Sequence, residues 1–515
     1  MTPRGWRILM WCAAAGFAAY RIPELWRYSL WYDEVFSLTL VQMDWSEMFA
    51  AALRDRTNPP LFYALLKAWT SIGGESFFWI RVLPCLIAIA TAVPFVALAK
   101  RCFGSGKSGI AAGAAAVAAA AASPLLVFLS NEVRGYSLLV LLSTVSMLAF
   151  YRVTETLELE QAIREEAGSP SPLGHFGEER KRRIVMLALV NTLLVYTHYF
   201  GWLLIAAELV VALGWYRPAL RWMFAANAAA AVVFAPWAIA VAMSAGGAER
   251  PLANVDWISA PSVRDIPVFY DALVARVLTL STANVGLVIM LAIVAVMVIA
   301  VASPRRAEGS SRARELAVLA VLPVLLAYVA SVALGRSVFV PRYLVVVAPA
   351  WLLLIGATVA ARGGLTARGA HDMERELRVR ATVFTFVIFT LACGALREVR
   401  GGEKIQWQWI MKSIAQDAIL ADSAGQLRGT IYTLEGFTAL PAAYYAHAFG
   451  GALTVRPLGT DPSFLAPAWL VERSLPSGEF RSHDTPLLGQ RLRLTELVTE
   501  RVPSHAIRAY RIDPR

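Results

Sequence analysis

Apolar runs long enough to cross a bilayer recur along this chain, at 6–22, 77–99, 110–129, 135–153, 184–199, 200–216, 222–243, 284–302, 316–334, 343–361 and 381–397. Each holds roughly 17–22 residues, the length of helix that matches a hydrocarbon core. Lipid offers the backbone no hydrogen-bond partners, so segments of this kind must be helical. The expected fold is therefore an all-α polytopic membrane protein with about 11 transmembrane helices. Composition agrees, since 57% of the 515 residues are hydrophobic and only 17% are charged.

A formal net charge of +11 raises nucleic acid as a partner. No compact basic region with interleaved aromatics is present, so nucleic-acid binding is set aside. The basic residues gather instead at Lys100, Arg101 and Lys107, then Arg180, Lys181, Arg182 and Arg183, then Arg217 and Arg221. Further groups are Arg305, Arg306, Arg312 and Arg314, and finally Arg375, Arg378 and Arg380. Alternate loops thus carry the positive charge, as expected for a cytoplasmic N-terminus. The pattern holds only if 58–74, which contains Lys67, is an interfacial helix; a crossing there would move every later loop to the other side. The first loop, 23–76, and the turns near 130–134, 244–283 and 335–342 then face the extracytoplasmic side. The start of the chain, with Arg4 and Arg7 before an apolar run, reads as an uncleaved first helix that also targets the protein.

Three other stretches carry expectations. The segment 154–183 is charged and broken by Ser169-Pro170-Ser171-Pro172, and reads as a flexible cytoplasmic loop. The alanine-rich run 111–122 suits close helix packing. Cys12, Cys85, Cys102 and Cys393 form no CxxC pair and read as small core residues, with neither a disulfide framework nor a metal site. Beyond 397 the composition turns polar, and 398–515 reads as a small extracytoplasmic α/β domain. Strands are expected at Gly429–Leu434 and Ala506–Ile512, and helices at Ala439–Phe449 and Leu488–Val502. The transmembrane domain is then 1–397.

Ionisable residues near a bilayer are costly, so their clustering at one depth hints at function. Four outer turns hold such groups: Tyr32-Asp33-Glu34, Asn131-Glu132-Val133-Arg134-Gly135-Tyr136, Thr197-His198-Tyr199-Phe200 and Pro341-Arg342-Tyr343. A carboxylate can remove the proton of an attacking hydroxyl or amine. Arginine binds phosphate through a forked pair of hydrogen bonds and stabilises it as a leaving group. Together these favour transfer of a group from a lipid phosphate to an acceptor on the outer side. Each residue also has a plainer explanation. Asp33 and Glu34 suit a helix N-terminus, Glu132 and Arg134 suit an ion pair, His198 suits an interface, and Tyr136, Tyr199 and Tyr343 suit an aromatic belt. Pro59 and Pro60 suit the start of a helix.

In their order, Trp31-Tyr32-Asp33-Glu34, Asn58-Pro59-Pro60-Leu61-Phe62-Tyr63 with Arg81 beyond it, Glu132-Val133-Arg134-Gly135-Tyr136, Thr197-His198-Tyr199-Phe200 and Pro341-Arg342-Tyr343 resemble the bacterial C-type membrane glycosyltransferases. The resemblance is to the group of glycosyltransferase family 39, protein O-mannosyltransferases and lipid A aminoarabinose transferases. The motifs lie mostly in the first half; the later part matches in layout. The resemblance implies a polyprenyl-phosphate-linked sugar donor used on the extracytoplasmic face of the bacterial inner membrane, with inversion in one displacement. The acceptor would be a protein, a lipid or a polysaccharide. By position, Asp33 would be the base or an acceptor-orienting acid, Glu34 its partner, and Glu132 a second acidic residue that helps to place the acceptor or a cation. Arg134, Arg342, His198, Tyr199 and Tyr343 would serve the donor phosphate. Tyr32, Pro59, Pro60, Tyr63 and Tyr136 would line the substrate groove, with 58–74 as its wall. Members of the group differ in their use of a divalent cation; the sequence around Glu132 lacks a second nearby carboxylate, so no obligatory metal is expected.

Three other functions are open to a chain of this kind. A transporter or flippase of lipid-linked sugars predicts pseudo-symmetric halves and broken helices at mid-bilayer, and no such repeat is evident. A non-catalytic assembly subunit has no need of the acids and arginines retained here. A polymerase or transferase of longer lipid-linked glycans would use the same residues.

Overall fold

The structure of the protein, a computed structural model, describes residues 15, 24–167, 174–244, 258, 260–274, 310–357, 405–421, 426–447, 449, 452–458, 467–474, 480, 492–502 and 505–514. In chain order its helices are α1 (Tyr32–Gln42), α2 (Trp45–Asp55), α3 (Leu61–Gly73), α4 (Phe77–Ala90), α5 (Ala92–Phe103), α6 (Lys107–Ala122) and α7 (Pro124–Leu129). Next come α8 (Tyr136–Ala167), α9 (Gly174–Thr197), α10 (Gly201–Trp215), α11 (Leu220–Ser244), α12 (Asp265–Val274), α13 (Ser310–Ala333) and α14 (Ala348–Ala357). The C-terminal region holds α15 (Trp407–Ala421) and α16 (Gly436–His447) with five strands. The chain forms two compact units. One comprises 43–74 and the described residues from 79 to 357; the other comprises the described residues of 23–42, 75–78 and those after 397.

Among the described residues, four helices are long and apolar enough to cross a membrane: Phe77–Phe103, Tyr136–Ile163, Arg217–Ser244 and Arg312–Ala333. They coincide with the apolar runs at 77–99, 135–153, 222–243 and 316–334. The runs 110–129, 200–216 and 343–361 contain shorter apolar helices, Ser108–Ala122, Gly201–Trp215 and Leu344–Ala357. The run 184–199 forms the second half of α9, whose first half is charged. The runs 6–22 (residue 15 apart), 284–302 and 381–397, with Cys12 and Cys393, lie outside the described residues. The chain is a mostly helical, multi-pass membrane protein. With 13 residues, α3 is about 20 Å long, too short for a hydrocarbon core of about 30 Å.

Small residues bring helices together where the alanine run led one to expect it. Ala112, Ala115, Ala116 and Ala119 of α6 are fully buried, and a Cβ placed on Gly356 of α14 would lie 2.5 Å from the Ala112 carbonyl oxygen. Deeper in the bundle, one polar network joins four helices. The Ser146 hydroxyl of α8 lies 2.6 Å from Asn191 Oδ1 of α9 and 3.0 Å from Glu208 Oε1 of α10. Asn191 Nδ2 in turn donates to Asn227 Oδ1 of α11 at 2.8 Å, which leaves its oxygen as the acceptor for Ser146. A hydroxyl has one proton, so the contact with Glu208 needs a donor on the carboxyl side. An amide supplies one. Glu208→Gln is therefore expected to keep the thermal midpoint within a few degrees, whereas Glu208→Ala, which orphans buried partners, should lower stability by about 1–3 kcal/mol; equal losses in thermal unfolding of the purified protein would contradict this arrangement.

The expected flexibility of 154–183 does not hold for most of it. Helix α8 continues to Ala167 and α9 begins at Gly174. Glutamates, leucines and arginines in this stretch are good helix formers. Their charges also find distant partners: Glu160 pairs with Arg180 at 2.6 Å, Glu155 pairs with Arg101 of α5, and Arg183 bonds Thr156. Ser169–Pro172 lies outside the described residues.

The second unit is built on a five-stranded sheet, with β1 (Gly429–Thr433), β2 (Leu453–Pro457), β3 (Ala468–Arg473), β4 (Leu492–Val502) and β5 (His505–Pro514) in the order β2-β1-β3-β5-β4. β1 is parallel to β2 and β3, and β5 is antiparallel to β3 and β4. Helix α16 makes the crossover that the parallel β1–β2 pair requires. Tyr432, Ala468, Leu470, Tyr510 and Ile512 form a buried cluster on this sheet. Asp417 of α15 fastens to it by accepting from Trp469 Nε1 at 2.9 Å and from Arg511 at 3.1 Å.

The strands at Gly429–Leu434 and Ala506–Ile512 and the helix near Ala439–Phe449 match expectation. The helix expected at Leu488–Val502 is instead the strand β4, with 488–491 outside the described residues. Its leucines at 492 and 494 and its β-branched Thr495, Val498, Thr499 and Val502 suit a pleated edge, and the ladder to β5 supplies the partners that decide it. A bulge between Glu496 and Val498 shifts the register and blurs the two-residue period in the sequence.

Candidate active site

In the first unit three of the sequence motifs meet. Gly135, between Arg134 and the start of α8, is packed so closely that an added Cβ would lie 3.3 Å from Phe62 Cβ and 3.4 Å from Thr197 Cγ2. The motifs at 58–63, 132–136 and 197–200 therefore touch through one glycine. Pro60 stands at the N-terminal boundary of α3, where its missing N–H costs no helical hydrogen bond. Pro59, Pro60 and Tyr63 are buried there. The Tyr63 hydroxyl accepts from Arg134 Nη1 at 2.9 Å, and the guanidinium carbon is 6.0 Å from the ring centroid.

The turn that carries Glu132 and Arg134 is itself buried. Its backbone closes on itself, with Glu132 N donating to Leu129 O and Arg134 N to Glu132 O. Glu132 has 0% exposure and Arg134 5%. Burying a carboxyl and a guanidinium costs free energy that packing alone does not recover, which is why such groups mark function or a switch.

His198, 3% exposed, joins α9 to α10. Its Nδ1 accepts from the Phe200 N–H at 3.2 Å, which assigns the proton of a neutral imidazole to Nε2. Among the described residues Nε2 has no hydrogen-bond partner. The ring lies 4.9 Å from Tyr343 and 6.4 Å from Tyr136, and those two tyrosines are 6.3 Å apart. The Arg342 guanidinium carbon is 5.7 Å from the Tyr343 ring centroid. Arg134 and Arg342 both lie within electrostatic reach of His198. Two guanidiniums, an N–H donor and a wall of aromatic rings thus surround one place. The Tyr199 hydroxyl accepts from Trp237 of α11 at 3.1 Å.

Tyr136 also borders a small apolar pocket of about 60 Å³, lined by Ile89, Phe95, Val117, Leu126, Leu129 and Val140 among others.

The second unit holds Tyr32, Asp33 and Glu34 in the first turn of α1, where helix polarity favours negative charge. The two acids differ. Glu34 is fully buried and its carboxylate reaches back to the Trp31 N–H at 3.4 Å, while Asp33 is half-buried. Tyr32 stacks on Phe437 at 5.3 Å, and the Arg473 guanidinium lies 4.3 Å from the Phe437 centroid. Burial pulls the Arg473 guanidinium below its usual value and Glu435 opposes that. Phe437 and Arg473 carry no signature in the sequence beyond an aromatic and a basic residue in a polar tail. No group of three or more His, Cys, Asp or Glu positioned to hold a metal ion occurs among the described residues.

Residues 57–163 match the family model of dolichyl-phosphate-mannose-protein mannosyltransferases, a stretch that takes in the motifs from Asn58 to Tyr136. The resemblance to membrane glycosyltransferases holds. The enzyme class expected from the sequence, a glycosyltransferase, is borne out with it. No curated protein matches in sequence. Among solved structures, ArnT from Cupriavidus metallidurans is similar in the apo state, with 13% identity, a TM-score of 0.56 and 98% of each chain covered. The same protein bound to undecaprenyl phosphate gives 14% identity, a TM-score of 0.56 and 98% coverage of each chain. The archaeal oligosaccharyltransferase AglB from Archaeoglobus fulgidus, in complex with an inhibitory peptide and a dolichol phosphate, gives 11% identity and a TM-score of 0.52 over 86% of this chain and 63% of that one. At these identities the likeness is one of fold.

Proposed function

We propose that this protein transfers a sugar from a polyprenyl-phosphate-linked donor to an acceptor on the extracytoplasmic face of the bacterial inner membrane. The observation that carries the reading is the cluster of Arg134, Arg342 and the His198 Nε2–H beside an apolar pocket, which is the chemistry an anionic lipid phosphate needs. A relative of the same fold is described as bound to undecaprenyl phosphate, which supports it. In this reading Asp33 takes the proton of the acceptor hydroxyl or amine as its heteroatom attacks the anomeric carbon. The bond from that carbon to the phosphate oxygen breaks, and polyprenyl phosphate leaves with the electron pair. Arg134 and Arg342 offset the charge that develops on it. One displacement inverts the anomeric centre.

Glu34 shapes the turn that carries Asp33, and Glu132 orients the acceptor. The aromatic wall of Tyr63, Tyr136 and Tyr343 lines the groove, with Pro59, Pro60 and α3 at its edge and Tyr32 on the acceptor side. The chemistry asks for no obligatory metal: Glu132 stands two residues from Arg134, a poor setting for a divalent cation. The transmembrane domain is 1–397, with its N-terminus cytoplasmic, and the α/β domain is 398–515 outside.

Cells lacking the protein are expected to accumulate one lipid-linked sugar. Mass spectrometry of extracted polyprenyl lipids should show it and identify the donor. An unchanged lipid-linked sugar profile, with an intact donor supply, would count against the reading.

A further inference from the structure

The second unit contains residues more than 370 positions apart in sequence that grip one short segment. Leu30 is fully buried, and its backbone N–H donates to the Tyr445 hydroxyl at 2.6 Å. The same hydroxyl donates to the Leu30 carbonyl oxygen at 3.3 Å. One phenol thus serves both backbone polar groups of a residue that water does not reach. Its neighbours are held as well. Ser29 N–H donates to Gln406 Oε1 at 3.4 Å, and the Gln408 N–H donates to Ser29 Oγ at 3.0 Å. Tyr32 stacks on Phe437 of α16, the helix that also carries Tyr445.

These contacts fall just before α1. Trp31 supplies the carbonyl that accepts from Glu34 and Val35, so the backbone at 30–31 decides where the helix begins and where Asp33 stands. The local cap, Glu34 to the Trp31 N–H, is long at 3.4 Å and lies within the turn itself. The fixed reference is Tyr445, on the helix that links β1 to β2 and packs against the sheet.

We propose that Tyr445 is a positioning residue for the acidic pair: its hydroxyl sets the start of α1, so that the C-terminal α/β region determines the location of Asp33. The consequence for turnover rests on the sugar-transfer reading above; the consequence for the backbone does not. Loss of the hydroxyl leaves the ring and its packing in place, so α1 keeps forming but its first turn is no longer fixed. A displacement of about 1 Å in a base is enough to lower a rate by as much as about 100-fold.

The test is Tyr445→Phe in the full-length protein in nanodiscs, with two readouts. Amide hydrogen exchange at residues 30–35 is expected to speed up by about 10-fold, with residues 139–160 unchanged. Release of polyprenyl phosphate is expected to show kcat lowered by roughly 10–100-fold with the donor KM within about twofold, the split that marks lost positioning instead of lost binding. Unchanged exchange at 30–35 overturns the proposal, and so does faster exchange with kcat unaltered. Should this variant fail to fold, Ser29→Ala, which removes the acceptor for the Gln408 N–H in the same grip, takes the same two measurements and the same criteria. If the wild-type protein releases no polyprenyl phosphate from any donor, the transfer reading fails, while the exchange data still decide whether Tyr445 fixes this turn.

Discussion

Asp33→Asn is expected to lower turnover by about 10²–10⁴-fold, the usual contribution of a positioned general base. The substitution keeps the size and most of the hydrogen bonds of the side chain and removes only its ability to take a proton. Folding should survive, because Asp33 is half-buried at a helix N-terminus, where asparagine is also accepted. The contrast is with Glu47→Gln in α2. Glu47 is exposed and its carboxylate closes a capping box with the Asp44 backbone at 3.3 Å. A glutamine can make the same contact, so turnover should stay within about twofold of wild type. Steady-state release of polyprenyl phosphate by the two variants, matched for insertion and thermal midpoint, makes the comparison. Equal losses would remove Asp33 from the chemistry. A loss confined to Glu34→Gln would shift the role of base to the buried acid, whose carboxylate now serves the Trp31 N–H.

The second large effect is at Arg342, where lysine should raise the donor KM by about 10–100-fold and leave kcat within about threefold. The side chain is half-buried and lies over the Tyr343 ring at 5.7 Å. Lysine keeps the charge but loses the planar stack and the forked pair of N–H groups that fits a phosphate. A charge-assisted hydrogen bond is worth about 1.5–3 kcal/mol, which sets the size of the KM change. An unchanged KM with lost activity would show that Arg342 acts on the reaction itself and not on donor binding. Arg134 is a poorer probe, since its bond to the Tyr63 hydroxyl makes it part of the buried packing.

Much of this was legible in the sequence for simple reasons. Bilayer-length apolar runs have few structural solutions, so the helices at 77–103, 136–163, 217–244 and 312–333 were readable from hydropathy. Hydropathy did not show the local irregularity at Thr91, where α4 meets α5, because residues on both sides of it are equally apolar. Charge misled at 154–167, where the partners that stabilise the helix, Arg101 and Arg180, lie outside the local window. In the tail the bulge in β4 hid its period, and pairing with β5 overrode local preference.

The site divides in the same way. Glu132, Arg134, His198 and Tyr343 stood out because polar groups in apolar surroundings are rare; Arg134, His198 and Tyr343 lie around one place in the first unit, and Glu132 is buried in the turn that carries Arg134. Tyr199 shares a motif with His198 and also bonds Trp237, a contact that no motif encodes. Tyr445, Phe437 and Arg473 were invisible as partners of the first loop. Contacts that span about 400 residues leave no local pattern, and an aromatic pair such as Tyr444-Tyr445 in an amphipathic helix reads as ordinary core.

The central claim is that this chain breaks the bond between a sugar and a lipid phosphate. The most direct measurement is to incubate the purified protein in nanodiscs with a panel of polyprenyl-phosphate sugars and a membrane extract as acceptor, and to quantify free polyprenyl phosphate by mass spectrometry. The account predicts time-dependent release from at least one donor, coupled mole for mole to glycosylated product and absent in Asp33→Asn. Donors that remain intact across the panel, or lipid-linked sugar that crosses the bilayer without cleavage, would contradict it.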